Sequence, residues 1–244
     1  MQAIERPGAG PAVLFIHGFC QSSAYWQPTL DRLAGGGLAV DLPGFGTSAA
    51  LPGPYTMQGY ADALARLLDE RNLDRVAVVG GSMGGVVAQF LALRHPARVS
   101  RLLLVATGAF TADPAGALAK ADALAAGAWD EATVAPIVAG FFRRPPEGVD
   151  AFRRIALSAS QHAAVAAARS NAQSRTFEEL HAITAPTLII QGRHDRARTP
   201  EHGEAMRARI PGARLAVLEG SGHTPQLEEP EAFHALALPF LGPA

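Results

Sequence analysis

Residues 80 to 84 read Gly80-Gly-Ser-Met-Gly84, directly after the apolar run Arg75-Val-Ala-Val-Val79 and before a helix-like stretch. A Gly-x-Ser-x-Gly pentapeptide between a strand and a helix puts the serine on a sharp turn. Its strained backbone crowds the positions two before and two after the serine, where glycine fits best. The turn exposes Oγ at the carboxyl edge of a sheet, beside the positive N-terminal end of the next helix, where developing negative charge is favoured. A serine hydroxyl alone is a poor nucleophile. It needs a general base, and the base needs an acid to orient it. The chain offers one good candidate for each, Asp195 in Gly192-Arg-His-Asp195 and His223 in Glu219-Gly-Ser-Gly-His223. An oxyanion formed at Ser82 would need donors too. The Met83 N–H is the natural first and the Phe19 N–H, in His17-Gly-Phe19, the second. Each such donor is worth about 3 kcal/mol of barrier height.

Those side chains need a scaffold that brings them together. Strand-like apolar runs occupy 12–16, 38–41, 75–79, 101–106, 186–191 and 213–218. Most are apolar throughout rather than alternating, which suits strands covered on both faces of a parallel sheet. Helical patterns lie between them at 26–33, 57–71, 83–94, 201–209 and 231–241, with Thr56 as a cap for the second and Pro200 near the start of the fourth. Alternating strands and helices predict an α/β fold: a mostly parallel twisted sheet of about six or seven strands, flanked by helices. In such a sheet Ser82, Asp195 and His223 each follow a strand on the same edge, and ligands bind at that edge. Their chain order, Ser, Asp, His, fits this architecture.

The alternation breaks between Thr107 and Ala185, where the sequence reads as helices near 115–126, 131–142, 148–157 and 161–172. We therefore expect a core made of 1–107 and 185–244 and a helical cap, or lid, made of 108–184. The sequence resembles the α/β-hydrolase superfamily over nearly its whole length. The matching stretches are Phe15-Ile-His-Gly-Phe19, Ser22-Ser-Ala-Tyr-Trp26, Asp41-Leu-Pro-Gly-Phe-Gly-Thr-Ser48, Gly80-Gly-Ser-Met-Gly-Gly85, Gly192-Arg-His-Asp195 and Gly222-His223. It is most similar to the small, capped serine esterases, lactonases and C–C hydrolases of that superfamily. The resemblance implies Ser82 as nucleophile, His223 as base and Asp195 as orienting acid, with Asp113 as a reserve acid. Only Met1–Pro11 precedes the first parallel strand, so at most one short edge strand fits there.

The expected reaction is hydrolysis of a carboxylic ester or lactone of a small, largely apolar substrate through an acyl-enzyme, with no metal or organic cofactor. A C–C bond hydrolase or lyase using the same triad is the nearer alternative, and a sensor with the hydrolase fold the more distant one. Serine in place of aspartate at position 82 argues against dehalogenases and epoxide hydrolases. Trp129, Phe141 and Phe142 are candidate substrate-binding residues in the cap, with Phe110 and Phe152 nearby. Six arginines (Arg143, Arg144, Arg153, Arg154, Arg169, Arg175) face two acids between Gly140 and Thr176. They read as a solvated helix face before they read as a site for a carboxylate or an acidic carrier. His17 reads as a residue that hydrogen-bonds loop backbone, His194 as a residue that shapes its loop, and Cys20 as a small buried side chain.

Composition sets outer bounds. With 244 residues, 48% of them hydrophobic, and a net charge of −1, the chain can bury a sizeable core and gives no reason to expect nucleic-acid or membrane partners. A single cysteine excludes an intrachain disulfide. The N-terminal residues lack the pattern of a signal peptide, so a cytoplasmic monomer or homodimer is expected. Arginine dominates the basic residues, Lys120 being the single lysine.

Overall fold

The computed structural model describes residues 1–8 and 12–242. Seven strands, β1 (Gln2–Arg6), β2 (Val13–Ile16), β3 (Gly37–Asp41), β4 (Val76–Gly81), β5 (Val99–Val105), β6 (Thr187–Gly192) and β7 (Arg214–Leu218), form one sheet in the order β1-β3-β2-β4-β5-β6-β7. β1 runs antiparallel to β3, and the remaining pairs are parallel. The single short strand ahead of the first parallel one is thus an antiparallel edge strand. Every residue of β2, β3, β4 and β6 is buried, as their largely apolar runs require of strands covered on both faces, with Asp41, Thr187 and Gln191 the buried polar exceptions. The two edge strands β1 and β7 are partly exposed, and so is the start of β5 at Ser100 and Arg101.

Before the insert lie helices α1 (Gln27–Leu30), α2 (Met57–Glu70) and α3 (Met83–Arg94). The insert between β5 and β6 holds α4 (Pro114–Ala126), α5 (Glu131–Ala139), α6 (Val149–Leu157) and α7 (Gln161–Gln173), followed in the remainder by α8 (Pro200–Arg209), α9 (Pro225–Glu228) and α10 (Pro230–Leu241). Two apolar clusters form, one on each face of the sheet. The larger joins Leu14, Ile16, Val78 and Leu104 to residues of α2 and α3 and to Val134, Val138 and Phe141 of the insert. The smaller sets Phe15, Val79 and Leu103 against Trp26, Leu30, Phe233 and Leu241. Helix starts follow capping chemistry: the side chains of Thr56, Asp113, Asp130 and Ser160 each accept an N–H three residues on. Pro200 opens α8.

Two elements differ from expectation. The helix expected over 26–33 is a 3-10 turn, Ser23–Trp26, running into the four-residue α1, and the glycines at 35–37 follow it. The helix expected over 131–142 stops at Ala139. Beyond Gly140 the backbone is recruited by tertiary partners: the Phe141 carbonyl accepts from Thr224 Oγ1 at 3.0 Å and the Arg143 N–H donates to Glu228 Oε1 at 2.6 Å. Phe141 and Phe142 therefore leave the helix on a turn that faces the carboxyl edge of the sheet.

Candidate active site

Ser82 sits between β4 and α3 with φ 51° and ψ −118°, a conformation that an L-residue adopts only under constraint. The constraint is visible in the packing. A Cβ on Gly80 would overlap the Gly84 carbonyl, and one on Gly84 would overlap the carbonyls of Ile16 and His17. Cys20, in the loop after β2, and Ala106, at the end of β5, also have positive φ, so three of the five such non-glycine positions among the described residues lie at this sheet edge. The Ser82 N–H donates to the Val105 carbonyl at 2.9 Å, and Thr107 Oγ1 donates to the Ser82 carbonyl at 2.7 Å. Both backbone polar groups of the serine are thus held by β5 and the residues just beyond it, which leaves Oγ free to point outward.

The loops after β6 and β7 bring the other two groups in. A Cβ on Gly192 would collide with the Gly222 carbonyl, so only glycine allows the loops this approach, and the His194 N–H donates across to the Ser221 carbonyl at 2.9 Å. His194 itself is exposed, and its backbone ties the two loops together. Asp195, 4% exposed, receives the N–H groups of Ala197 and Arg198 on Oδ1 at 2.8 and 2.9 Å. Its Oδ2 lies 2.6 Å from His223 Nδ1, and His223 Nε2 lies 2.8 Å from Ser82 Oγ. A carboxylate accepts only, so the imidazole proton resides on Nδ1 and Nε2 is left to accept from the serine hydroxyl. Asp113, the reserve acid, instead caps α4 through the Gly116 N–H.

The loop after β2 closes the other side. A Cβ on Gly18 would come within 3.2 Å of Ser82 Cβ, so this loop lies directly against the serine. His17 is fully buried and holds the loop from within: the Leu42 N–H donates to its Nε2 at 3.0 Å, and its Nδ1 donates to the Gly18 carbonyl at 2.7 Å. Burial pulls the His17 pKa down, although the Gly18 carbonyl and the Asp41 carboxylate act in the opposite direction. The neutral ring with its proton on Nδ1 satisfies both bonds. Because Gly18 C=O and Phe19 N–H belong to one trans peptide, fixing the carbonyl aims the N–H the opposite way. Gln21 Oε1 takes the Gly18 N–H at 2.9 Å. Neither the Phe19 nor the Met83 N–H has a protein acceptor among the described residues. Asp41 pins the base of the loop. Burial alone would raise its pKa, but donors from Ser23 and Thr47 outweigh burial and hold it below the ordinary carboxylate value.

Two cavities meet at this constellation. The first, about 690 Å³, is bordered by Phe19, Ser82, Leu124, Ile137 and Phe141. The second, about 820 Å³, is bordered by Asp195, His223, Phe142 and several arginines, Arg143 and Arg144 among them. Phe141 separates them, its ring stacked on His223 with centroids 6.2 Å apart. Of the three aromatic residues singled out from sequence, Phe141 lines the cavity with Ser82, Phe142 lines its neighbour, and Trp129 is half-buried against the core and lines neither. Cys20 is buried, and burial raises its thiol pKa well above the ordinary value. Of the insert arginines, Arg153 and Arg169 pair with surface acids. Sequence reasoning missed Thr224 and Glu228. The Glu228 carboxylate receives the N–H groups of Arg143, Gly222 and Thr224, tying the His223 loop to the insert.

Comparison with known proteins identifies the family. Residues 13–236 match the alpha/beta hydrolase family. The chain is 33% identical to a pimeloyl-[acyl-carrier protein] methyl ester esterase of Neisseria meningitidis serogroup A, over 97% of this chain and 78% of that one. Among solved structures, a hydrolase from Pseudomonas aeruginosa PA01 superposes with a TM-score of 0.92 at 29% identity, covering 98% of this chain and 93% of its own. The enol-lactonase from Burkholderia xenovorans LB400 gives the same TM-score at 25% identity, covering 98% and 95%. With most of its length matched and the seven-stranded sheet in place, the chain belongs to the alpha/beta hydrolase family.

Proposed function

We propose that the protein is a serine-type carboxylic-ester hydrolase acting on a small ester or lactone, and that Ser82, His223 and Asp195 are its catalytic triad. The observation that carries this reading is the continuous path from Asp195 Oδ2 to His223 at 2.6 Å and from His223 to Ser82 Oγ at 2.8 Å. It opens into a cavity bordered by Ser82 and Phe19, and the Phe19 and Met83 N–H groups beside it have no protein acceptor among the described residues. The esterase and enol-lactonase among its relatives point to the same bond type.

In the first step Ser82 Oγ attacks the carbonyl carbon while its proton passes to His223 Nε2. The oxyanion lies against the Phe19 and Met83 N–H groups, strengthened by the N-terminal end of α3. The tetrahedral adduct collapses as His223 returns the proton to the leaving alkoxide, which departs as the alcohol. Water then gives a proton to Nε2, adds to the acyl-enzyme and releases the acid, and Ser82 recovers its hydrogen. Asp195 keeps the ring in the productive tautomer and stabilises the imidazolium of each half-reaction. His17 acts through the loop: it positions the Phe19 N–H and touches no reacting atom. The four helices of the insert serve as a cap that shields the acyl-enzyme from bulk water.

The test pairs turnover with labelling. Wild type should hydrolyse p-nitrophenyl esters and be labelled stoichiometrically by a fluorophosphonate on the peptide containing Ser82, and Ser82→Ala should lose both. Persistent turnover in Ser82→Ala, or label on another residue, would remove Ser82 from the nucleophile's role. A preference for vinylogous diketones over every ester tried would move the reaction to C–C cleavage.

A further inference from the structure

The cavity that contains Ser82 is mainly apolar, with alanines of α4 and α7, Leu124, Ile137 and Phe141 along its walls. One wall departs from that character. Arg198 borders the cavity, half-buried, and no carboxylate forms an ion pair with it among the described residues. Its guanidinium makes one hydrogen bond, from Nη1 to the Phe110 carbonyl at 3.3 Å. The surface arginines behave differently: Arg94, Arg169, Arg193 and Arg207, for example, each pair with an acid. A guanidinium has five N–H donors in a rigid fork and keeps its charge in proteins, so a half-buried one with most donors unspent calls for an anion.

The surrounding charges narrow the anion. Arg196 and Lys120 border the same cavity, and Asp113 and the nearby Asp195 offset two of the three cations. His202 adds none: burial, then the adjacent Arg198 charge, lower its pKa and keep it neutral. One net positive charge remains, which suits a monoanion such as a carboxylate better than a phosphate dianion. The location narrows the substrate part. The leaving alcohol must depart past His223, which protonates it, and the second cavity borders His223 without Ser82. The cavity with Ser82, Phe19 and Arg198 is left for the acyl group.

We infer that Arg198 is a specificity-determining residue that binds a carboxylate at the far end of the acyl chain, so that the substrates are monoesters of dicarboxylic acids or lactones carrying a carboxylate. This rests on the ester-hydrolase reading and adds the substrate class. An apolar chain fits the alanine-rich walls, and its terminal charge meets the Arg198 fork.

The experiment compares p-nitrophenyl monoesters of short linear dicarboxylic acids with the same esters bearing a primary amide, or a phosphonate, in place of the free carboxylate. Wild type should favour the carboxylate over the amide by about 10- to 100-fold in kcat/KM, the range for one charge-assisted hydrogen-bonding partner. Arg198→Met should collapse that ratio toward one, and Arg198→Lys should restore part of it. Equal rates for both esters in wild type, a ratio unchanged in Arg198→Met, or a larger preference for the phosphonate would each overturn the inference. A second measurement separates this from failure of the parent reading. Free dicarboxylate should raise the melting temperature of Ser82→Ala, and the shift should vanish in the Ser82→Ala, Arg198→Met double variant. A protein that turns over no ester yet shows that pattern would refute the hydrolase and keep the carboxylate site; no shift in Ser82→Ala would overturn the site itself.

Discussion

Replacing Asp195 by asparagine tests the geometry more sharply than deleting the side chain. Asp195 Oδ1 receives two backbone N–H groups, from Ala197 and Arg198, at 2.8 and 2.9 Å. An asparagine must keep its carbonyl oxygen there, because an amide NH2 cannot accept those bonds. Its nitrogen is then forced into the Oδ2 position, 2.6 Å from His223 Nδ1. Two donors cannot face each other, so the imidazole must move its proton to Nε2 and present a donor to Ser82 Oγ. The base is lost without moving a heavy atom. The imidazolium of the transition state also loses its counter-charge. The same replacement in a serine triad lowers kcat by roughly 10⁴-fold, which at 1.36 kcal/mol per decade is about 5.5 kcal/mol of transition-state stabilisation. The loop hydrogen bonds survive, so the urea midpoint should stay close to wild type. The assay is p-nitrophenyl butyrate turnover beside equilibrium unfolding. Activity within tenfold of wild type, with the fold intact, would show that another acid orients His223 and would refute the argument.

Other outcomes follow from the same contacts. Ser82→Gly should be inactive yet more stable than Ser82→Ala by about 1–2 kcal/mol in urea denaturation, because only glycine relaxes at φ 51°. Gly84→Ala should destabilise by about 3 kcal/mol on the same measurement, since its Cβ meets two backbone carbonyls of the loop after β2. His17 has a lowered pKa in the fold, so its stability contribution is full above the unfolded value of about 6.5 and is lost as pH falls through that value towards the folded one. The urea midpoint should therefore drop on acidification from neutral pH, less steeply in His17→Asn. Asp41, also lowered, should add a second loss as pH falls through the carboxylate range.

The grouping of Ser82, Asp195 and His223 was legible in the sequence because all three sit in loops directly after apolar runs. Strand polarity then sends every such loop to one edge, whatever the helices do. Ser82 carried its own signature in the flanking glycines, whose need the overlaps at Gly80 and Gly84 now explain. The edge strand β1 was legible only as an allowance, since five residues of mixed polarity say little by themselves. The end of α5 was not legible: Phe141 and Phe142 continue a helical pattern, and what stops the helix is a threonine and a glutamate more than eighty residues away. Trp129, Phe141 and Phe142 could not be ranked as pocket residues, because aromatic side chains in an insert read alike until their direction is known. Arg198 was hidden among many arginines. Its standing comes from the lack of an acidic partner among the described residues, a property of three-dimensional surroundings alone.

The Glu228 carboxylate clasps backbone amides on both sides of the crevice, Gly222 and Thr224 flanking His223 and Arg143 just beyond Phe141. Thr224 adds a second stitch to the Phe141 carbonyl. These bonds couple the turn after α5 to the His223 loop. Any displacement of that turn must either drag the imidazole off Ser82 Oγ or break those hydrogen bonds. Under the proposed triad, opening for entry and readiness for chemistry would then exclude one another.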